Sequence, residues 1–171
     1  MKKGKAKTKA KATKRKVSPI PKGYHAVTPY LSVRGGAAAI EFYKKAFGAK
    51  EIMRMPGPKG DIGHAEIEIG GSRIMLADEY PQIDFLSPAT RGGTTVTIHL
   101  YVPDADKMMQ RAKAAGGTVV QPMADQFYGD RTGSLRDPFG HVWHLATRKE
   151  NLSMAELKKR AAQAAKQAGL G

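Results

Sequence analysis

The 171-residue chain contains no cysteine, and this absence excludes several kinds of chemistry. Disulfide bridges, thiolate metal sites and cysteine nucleophiles are all ruled out. The chain also has no run of about 18 apolar residues, so we predict no transmembrane helix and no membrane partner. Its lysine-rich N-terminus is not followed by an apolar segment, which argues against a secretory signal. We therefore expect a cytoplasmic protein.

Acidic residues are missing from the first 22 positions, although ten lysines and arginines lie there. Since the whole chain carries a formal net charge of +14, the remainder is left with only +4. We predict that residues 1–22 are disordered, because they cannot bury apolar surface. The segment is either an arm for nucleic acid or another polyanion, or a solubilising extension without a partner. The polyanion hypothesis rests on Lys9, Lys11, Lys14, Arg15 and Lys16.

The rest of the chain contains an internal repeat with an offset of 69 residues. Thr28 aligns with Thr97, and Gly71 aligns with Gly140, without any gap between them. Equivalent positions fall in the same strand, helix or turn of each copy. One supersecondary unit is therefore used twice, over residues 25–82 and 94–148.

Each copy has the predicted order β-α-β-β-β. Alternating and helical periodicities place the elements of the first copy at 25–33, 37–47, 51–55, 62–69 and 72–78. Those of the second copy lie at 95–102, in a helix capped by Asp104, and at 118–123, 131–136 and 141–147. We expect an α+β domain over 23–148, whose paired modules form a curled sheet around a cavity with the helices outside. Residues 149–171 are predicted to add a C-terminal helix that begins with a capping box, Ser153 to Glu156.

Three short motifs lie in this repeated domain. They are TPYLSV at 28–33, AIEFY at 39–43 with FGA at 47–49, and GDR at 129–131 ahead of DPFGHVW at 137–143. On these motifs residues 24–148 resemble the vicinal oxygen chelate superfamily, which includes glyoxalase I, extradiol dioxygenases, fosfomycin-resistance enzymes and bleomycin-binding proteins. The chain is most similar to its PhnB-like branch. The resemblance implies a homodimer and a small-molecule ligand between the modules.

The superfamily also implies a divalent metal, held by His or Glu on the first and last strand of each module. The corresponding positions are Thr28, Met75, Thr97 and His144. Only His144 is a competent ligand, because a hydroxyl and a thioether bind divalent zinc, nickel or iron poorly. We therefore expect the usual metal site to be missing, and the cofactor stays unknown.

Other polar side chains share the faces that turn away from the helices. If these faces line one cavity, His64, Glu66, His99 and His144 could form an atypical metal site or a catalytic acid–base set. The alternative is that the outer faces are simply polar and solvated. Four aromatic residues are predicted to contact a flat ligand, with Tyr30 and Tyr101 as a clamp and Phe127 and Tyr128 as a lid.

Three hypotheses about function follow. The first is a protein that binds a small molecule without metal, like the bleomycin-binding branch. The second is a metal-dependent lyase, isomerase or dioxygenase that uses the atypical His and Glu residues. The third is polyanion binding through the basic tail. Whether the protein is an enzyme stays open.

Overall fold

The computed structural model describes residues 17–167. In this range the chain forms eight strands and four α-helices, together with a 3₁₀ turn at Pro81–Ile83. The elements are β1 (Tyr30–Val33), α1 (Gly36–Phe47), β2 (Lys50–Pro56), β3 (Ile62–Ile69), β4 (Ser72–Asp78), α2 (Pro88–Arg91), β5 (Thr97–Tyr101), α3 (Ala105–Ala114), β6 (Thr118–Asp125), β7 (Asp130–Arg136), β8 (Val142–Arg148) and α4 (Met154–Gln167).

The strands form two four-stranded mixed sheets with the same topology. Their orders are β1-β4-β3-β2 and β5-β8-β7-β6, and in each sheet the first strand pairs in parallel with the last strand of its unit. The predicted α+β fold with two β-α-β-β-β modules is therefore confirmed. The sheets remain separate and do not close into a barrel. We call the first module unit one and the second module unit two.

The hydrophobic core lies where the helices of the two units pack against each other and against the sheets. Alternation places one face of each strand in this core, because successive side chains point to opposite sides. The aromatic rings of Phe47 and Trp143 lie 4.5 Å apart across the junction. Beside them, buried Asp137 accepts hydrogen bonds from Tyr43 Oη at 2.8 Å and from Trp143 Nε1 at 2.9 Å. One carboxylate thus ties the helix of unit one to the last strand of unit two.

Two helix ends carry residues that favour such ends, Asp104 and Gly48. The start of α1 has a further cap that was not predicted. Asp104 Oδ1 accepts a hydrogen bond from Lys107 N at 2.9 Å, which confirms the predicted cap of α3. Gly48 ends α1 with φ of 69°, a left-handed conformation that favours glycine. The start of α1 is capped by Asp78 at the end of β4. Its Oδ1 accepts hydrogen bonds from Gly35 N at 2.7 Å and from Gly36 N at 2.9 Å.

Two details of the sequence-based prediction were wrong. The first strand of each unit is shorter than predicted, beginning at Tyr30 and Thr97, and Val27 and Val96 are 85% and 67% exposed. In unit one the physical reason is Pro29, which has no N–H to donate to a ladder. The residues between the two predicted modules, for which no element was predicted, contain the short helix α2.

The gapless offset of 69 fails at the third strand of each unit. Glu66 pairs with Met75 in unit one, whereas Ser134 pairs with His144 in unit two, so β3 and β7 are related by 68 residues. The cause is the next loop, which is tight at Gly70-Gly71 but longer between Arg136 and Val142. That longer loop carries Asp137, so the extra length serves the junction between units.

The C-terminal helix α4 is present from Met154 to the last described position, and Ser153 Oγ accepts from Glu156 N at 3.2 Å as the capping box predicts. The predicted end of this helix beyond Gln167 lies outside the described residues, as do residues 1–16 of the basic tail. Within 17–167, no helix combines the length and the apolar character needed to cross a membrane.

Candidate functional site

A groove of about 1,080 Å³ lies between β1 of unit one and β5 of unit two. Tyr30 and Ser32 line one side, Thr97 and His99 line the other, and the segment 84–96 forms a third wall. The groove lies at the junction because β1 and β5 are the edge strands of their sheets. Small-molecule sites often occur between structural units in this way.

Tyr30, which lines the groove from unit one, begins a row of hydrogen-bonded side chains that lies behind the groove. Tyr30 Oη lies 2.8 Å from His64 Nδ1, and His64 Nε2 lies 3.5 Å from Glu66 Oε1. Burial raises the pKa of Tyr30, which favours its protonated hydroxyl. A hydroxyl, an imidazole and a carboxylate are thus held in one row that reaches the groove at Tyr30.

Unit two carries two adjacent histidines, of which His99 lines the groove. His99 and His144 are partners in the parallel ladder, and their ring centroids lie 5.0 Å apart. Burial and then the neighbouring His99 lower the pKa of His144 below its usual 6.5, which favours the neutral imidazole. Tyr101 packs 4.6 Å from the His99 ring and donates from Oη to Asp130 Oδ2 at 2.7 Å. That hydrogen bond, followed by burial, raises the pKa of Tyr101.

Phe127 and Tyr128 lie on a tight turn between β6 and β7. Their rings meet edge to face at 5.3 Å, and the turn is closed by Gly129 N donating to Gln126 O at 3.0 Å. Tyr128 Oη lies 3.5 Å from Thr132 Oγ1. Their role as a lid stays a prediction, as does the clamp formed by Tyr30 and Tyr101.

The structure divides the four predicted acid–base residues into two pairs. His64 and Glu66 lie together in unit one, and His99 and His144 lie together in unit two. In the described range, no group of three or more His, Asp or Glu side chains is arranged to hold a metal ion. Their catalytic role stays a prediction, and the residues predicted to bind polyanions, Lys9 to Lys16, lie outside the described residues.

The metal that the fold implies does not fit the side chains at its usual positions. Thr28 Oγ1 donates to the carbonyl of His25 at 3.3 Å, and Met75 lies in register with Tyr30 and Glu66. A hydroxyl and a thioether are poor donors for a divalent ion. No reaction step is therefore assigned to a metal at these positions.

Sequence reasoning missed the segment that covers unit one. Phe85 lies 5.1 Å from the Tyr30 ring, and the segment is anchored by Glu79 Oε1, which accepts from Ser87 N at 2.8 Å and also from Thr90 Oγ1. Burial opposes ionisation of Glu79, but hydrogen bonds from Ser87, Thr90 and Arg34 outweigh it and lower its pKa to about 2. The aromatic residues in this linker were the signal that could have revealed it.

Comparison with known proteins identifies the family. The model of the Glyoxalase/Bleomycin resistance protein/Dioxygenase superfamily matches residues 24–145. The chain belongs to this superfamily. Among curated proteins, an uncharacterized protein of Mycobacterium tuberculosis is 46% identical over 136 residues, which cover 78% of this chain and 80% of that protein.

Solved structures agree with this assignment to the glyoxalase/bleomycin-resistance superfamily. TioX from Micromonospora sp. ML1 is 26% identical with a TM-score of 0.57, covering 75% of this chain and 100% of TioX. A PhnB protein from Bacillus cereus has a TM-score of 0.56 at 18% identity, covering 72% of this chain and 99% of that protein, and shows the fold alone. The resemblance to the superfamily, with a PhnB-type neighbour, is thereby confirmed.

Proposed function

We propose that this member of the glyoxalase/bleomycin-resistance superfamily binds a flat small molecule in the groove between its units, without the usual metal. The observation that carries the proposal is the composition of the groove. Tyr30 and Phe85 offer ring surfaces on one side, while Thr97 and His99 offer polar groups on the other. Apolar walls with a few placed polar groups are typical of small-molecule sites.

The proposal is tested with 1-anilinonaphthalene-8-sulfonate, a flat aromatic probe whose fluorescence rises on binding. We expect Tyr30→Ala and His99→Ala each to weaken binding by about tenfold, because each removes a ring contact. Ile52→Ala is the control, since Ile52 is an exposed apolar residue on β2, outside the groove. Equal affinity of the groove variants and the unchanged protein would contradict the proposal.

Metal content separates this function from the metal-dependent alternative. Purification without chelators followed by elemental analysis should give metal well below one ion per subunit. The alternative requires one ion per subunit, lost in the His99→Ala/His144→Ala double variant. That result would replace metal-free binding with lyase, isomerase or dioxygenase chemistry at the atypical histidines.

We also propose that the protein is a homodimer. The support is the uncovered sheet of unit two, where Tyr101 is 59% exposed, together with Val96, which is exposed directly before β5. A second copy would bury these side chains against its own uncovered surface. Light scattering after size exclusion should give twice the mass of the chain, and Val96→Lys should shift the species toward the monomer. A monomeric unchanged protein would refute the proposal.

A second candidate function is polyanion binding, favoured by the ten basic residues and no acid at 1–22. Duplex DNA should bind with an affinity that falls steeply as salt rises, because binding releases counterions. Deletion of residues 1–22 should abolish this binding. Binding that survives the deletion would move the site onto the domain.

A further inference from the structure

A second cavity, of about 490 Å³, is lined by unit one and by the start of the segment that follows it. It opens between β3, the turn that precedes β3 and the segment 79–85. It adjoins the groove through Tyr30 and Phe85 but includes neither Thr97 nor His99. The two cavities can therefore be tested separately.

Three aromatic rings line this cavity, and the backbone explains how two of them come together. Tyr80 and Phe85 are paired in an isolated antiparallel bridge, with Tyr80 N donating to Phe85 O at 2.8 Å and Phe85 N donating to Tyr80 O at 3.2 Å. Directly opposed residues in such a pair project their side chains to the same side. Tyr30 completes the set, with its ring 5.1 Å from that of Phe85.

The charged groups at the cavity wall are carboxylates. Asp61, Asp78 and Glu79 line it, and among the described lining residues His64 is the only nitrogen base. Glu79 is balanced by Arg34, whose Nε lies 2.9 Å from Oε2. Asp78 accepts only backbone N–H groups, including Ile62 N at 2.8 Å. Oδ1 of Asp61 is buried and has no hydrogen-bond partner in the described part of the chain.

We infer that this cavity binds an organic cation with a methylated ammonium group. The faces of Tyr30, Tyr80 and Phe85 attract a cation through their π electrons. The charges of Asp61 and Asp78 add Coulomb attraction that a neutral ligand of the same shape does not feel. A methylated ammonium needs few hydrogen-bond acceptors, which suits walls built from rings, Met55 and Ile83.

The experiment compares two probes of the same shape that differ in charge. Choline carries a trimethylammonium group, and 3,3-dimethylbutan-1-ol carries a tert-butyl group in its place. Titration of the ¹⁵N-labelled full chain should show choline binding about tenfold more tightly. Amide shifts should concentrate at residues 56–64 and 79–85.

Variants then test the cage. Tyr80→Leu and Phe85→Leu keep apolar volume but remove the ring, and each should weaken choline binding several-fold while leaving the alcohol unchanged. Asp61→Asn should weaken choline binding alone. The variant Val120→Ala, which removes an exposed apolar side chain from β6 of unit two, outside both cavities, is the control.

Three results would overturn the inference: equal affinity for both probes, unchanged choline affinity in Tyr80→Leu, or shifts confined to unit two. His99→Ala should leave choline binding unchanged although it weakens binding of the anionic fluorophore. Failure of the cation site therefore looks different from failure of the proposed groove.

Discussion

The two units share one topology, but the sheet face that points away from the helices is covered in unit one and open in unit two. In unit one the segment from Glu79 to Leu86 covers that face, and Ser32 Oγ donates to Phe85 O at 3.4 Å beneath it. In unit two the equivalent face is open, with His99 and Tyr101 exposed. Duplication therefore preserved the core that builds the fold, while the opposite faces became free to diverge.

The largest expected effect on stability is at Asp137, in the loop between β7 and β8, which is longer than the equivalent loop of unit one. Asp137→Ala leaves the buried Tyr43 hydroxyl and Trp143 N–H without their acceptor. We expect the free energy of unfolding to fall by about 3 kcal/mol or more, measured by urea denaturation. Tyr43→Phe removes one donor and should cost about 1 kcal/mol. A change below that of Tyr43→Phe would show that Asp137 does not join the units.

Asp78 and Thr147 occupy equivalent positions in the two units, and each accepts hydrogen bonds at the start of a helix. Asp78 caps α1 through two amides and also accepts from Ile62 N, whereas Thr147 Oγ1 accepts only Ala105 N, at 2.8 Å, at the start of α3. Asp78→Ala should cost about 2 kcal/mol and Thr147→Ala about 1 kcal/mol in denaturant unfolding. Each variant is the control for the other. A larger loss of stability in Thr147→Ala than in Asp78→Ala would show that charge and the number of amides bound do not decide the loss.

The cover of unit one should depend on Glu79. Its folded pKa of about 2 lies below the usual 4.5, so its contribution to stability is complete above pH 4.5 and is lost as the pH falls toward 2. Glu79→Gln should lower stability by about 1 kcal/mol at pH 7 and flatten this pH dependence. Hydrogen exchange of the Tyr80 and Phe85 amides should become faster, and unchanged exchange would refute the anchoring role.

The smallest effect is expected at the open face of unit two. Because the folded pKa of His144 is lowered, the protein binds fewer protons there than the unfolded chain does, and stability falls as the pH drops below 6.5. His144→Gln should reduce the loss of stability between pH 7 and 5 by less than about 1 kcal/mol. His25→Gln, at an exposed site, is the control. An identical pH profile for His144→Gln would contradict the prediction.

Local periodicity explains what was predictable. Ile40, Tyr43 and Phe47 follow helical spacing and all lie in the core, as do Met109 and Ala112 of α3. Alternation in β3 correctly separated Ala65 and Ile67 from His64 and Glu66. Periodicity predicts these positions because the place of a residue in its own helix or strand decides whether its side chain faces the core.

Contacts between distant segments could not be predicted in this way. The linker after β4 has no period, so its aromatic residues could be noticed but not placed, and local spacing does not show that Phe85 folds back onto Tyr30, 55 positions away in the chain. The one-residue change between β3 and β7 depends on a loop whose shape is set by hydrogen bonds to Asp137. Such features are decided by partners from other elements.

The amino-acid sequence by itself determined the repeat, the order of elements, the family and the poor metal-binding chemistry of Thr28, Met75 and Thr97, because residue type and spacing are local properties. Only the tertiary structure decided that His64 joins Tyr30 and Glu66, that His99 joins His144, and that unit one alone is covered. Those outcomes depend on strand register and loop path, where packing and hydrogen bonds between distant residues select one arrangement.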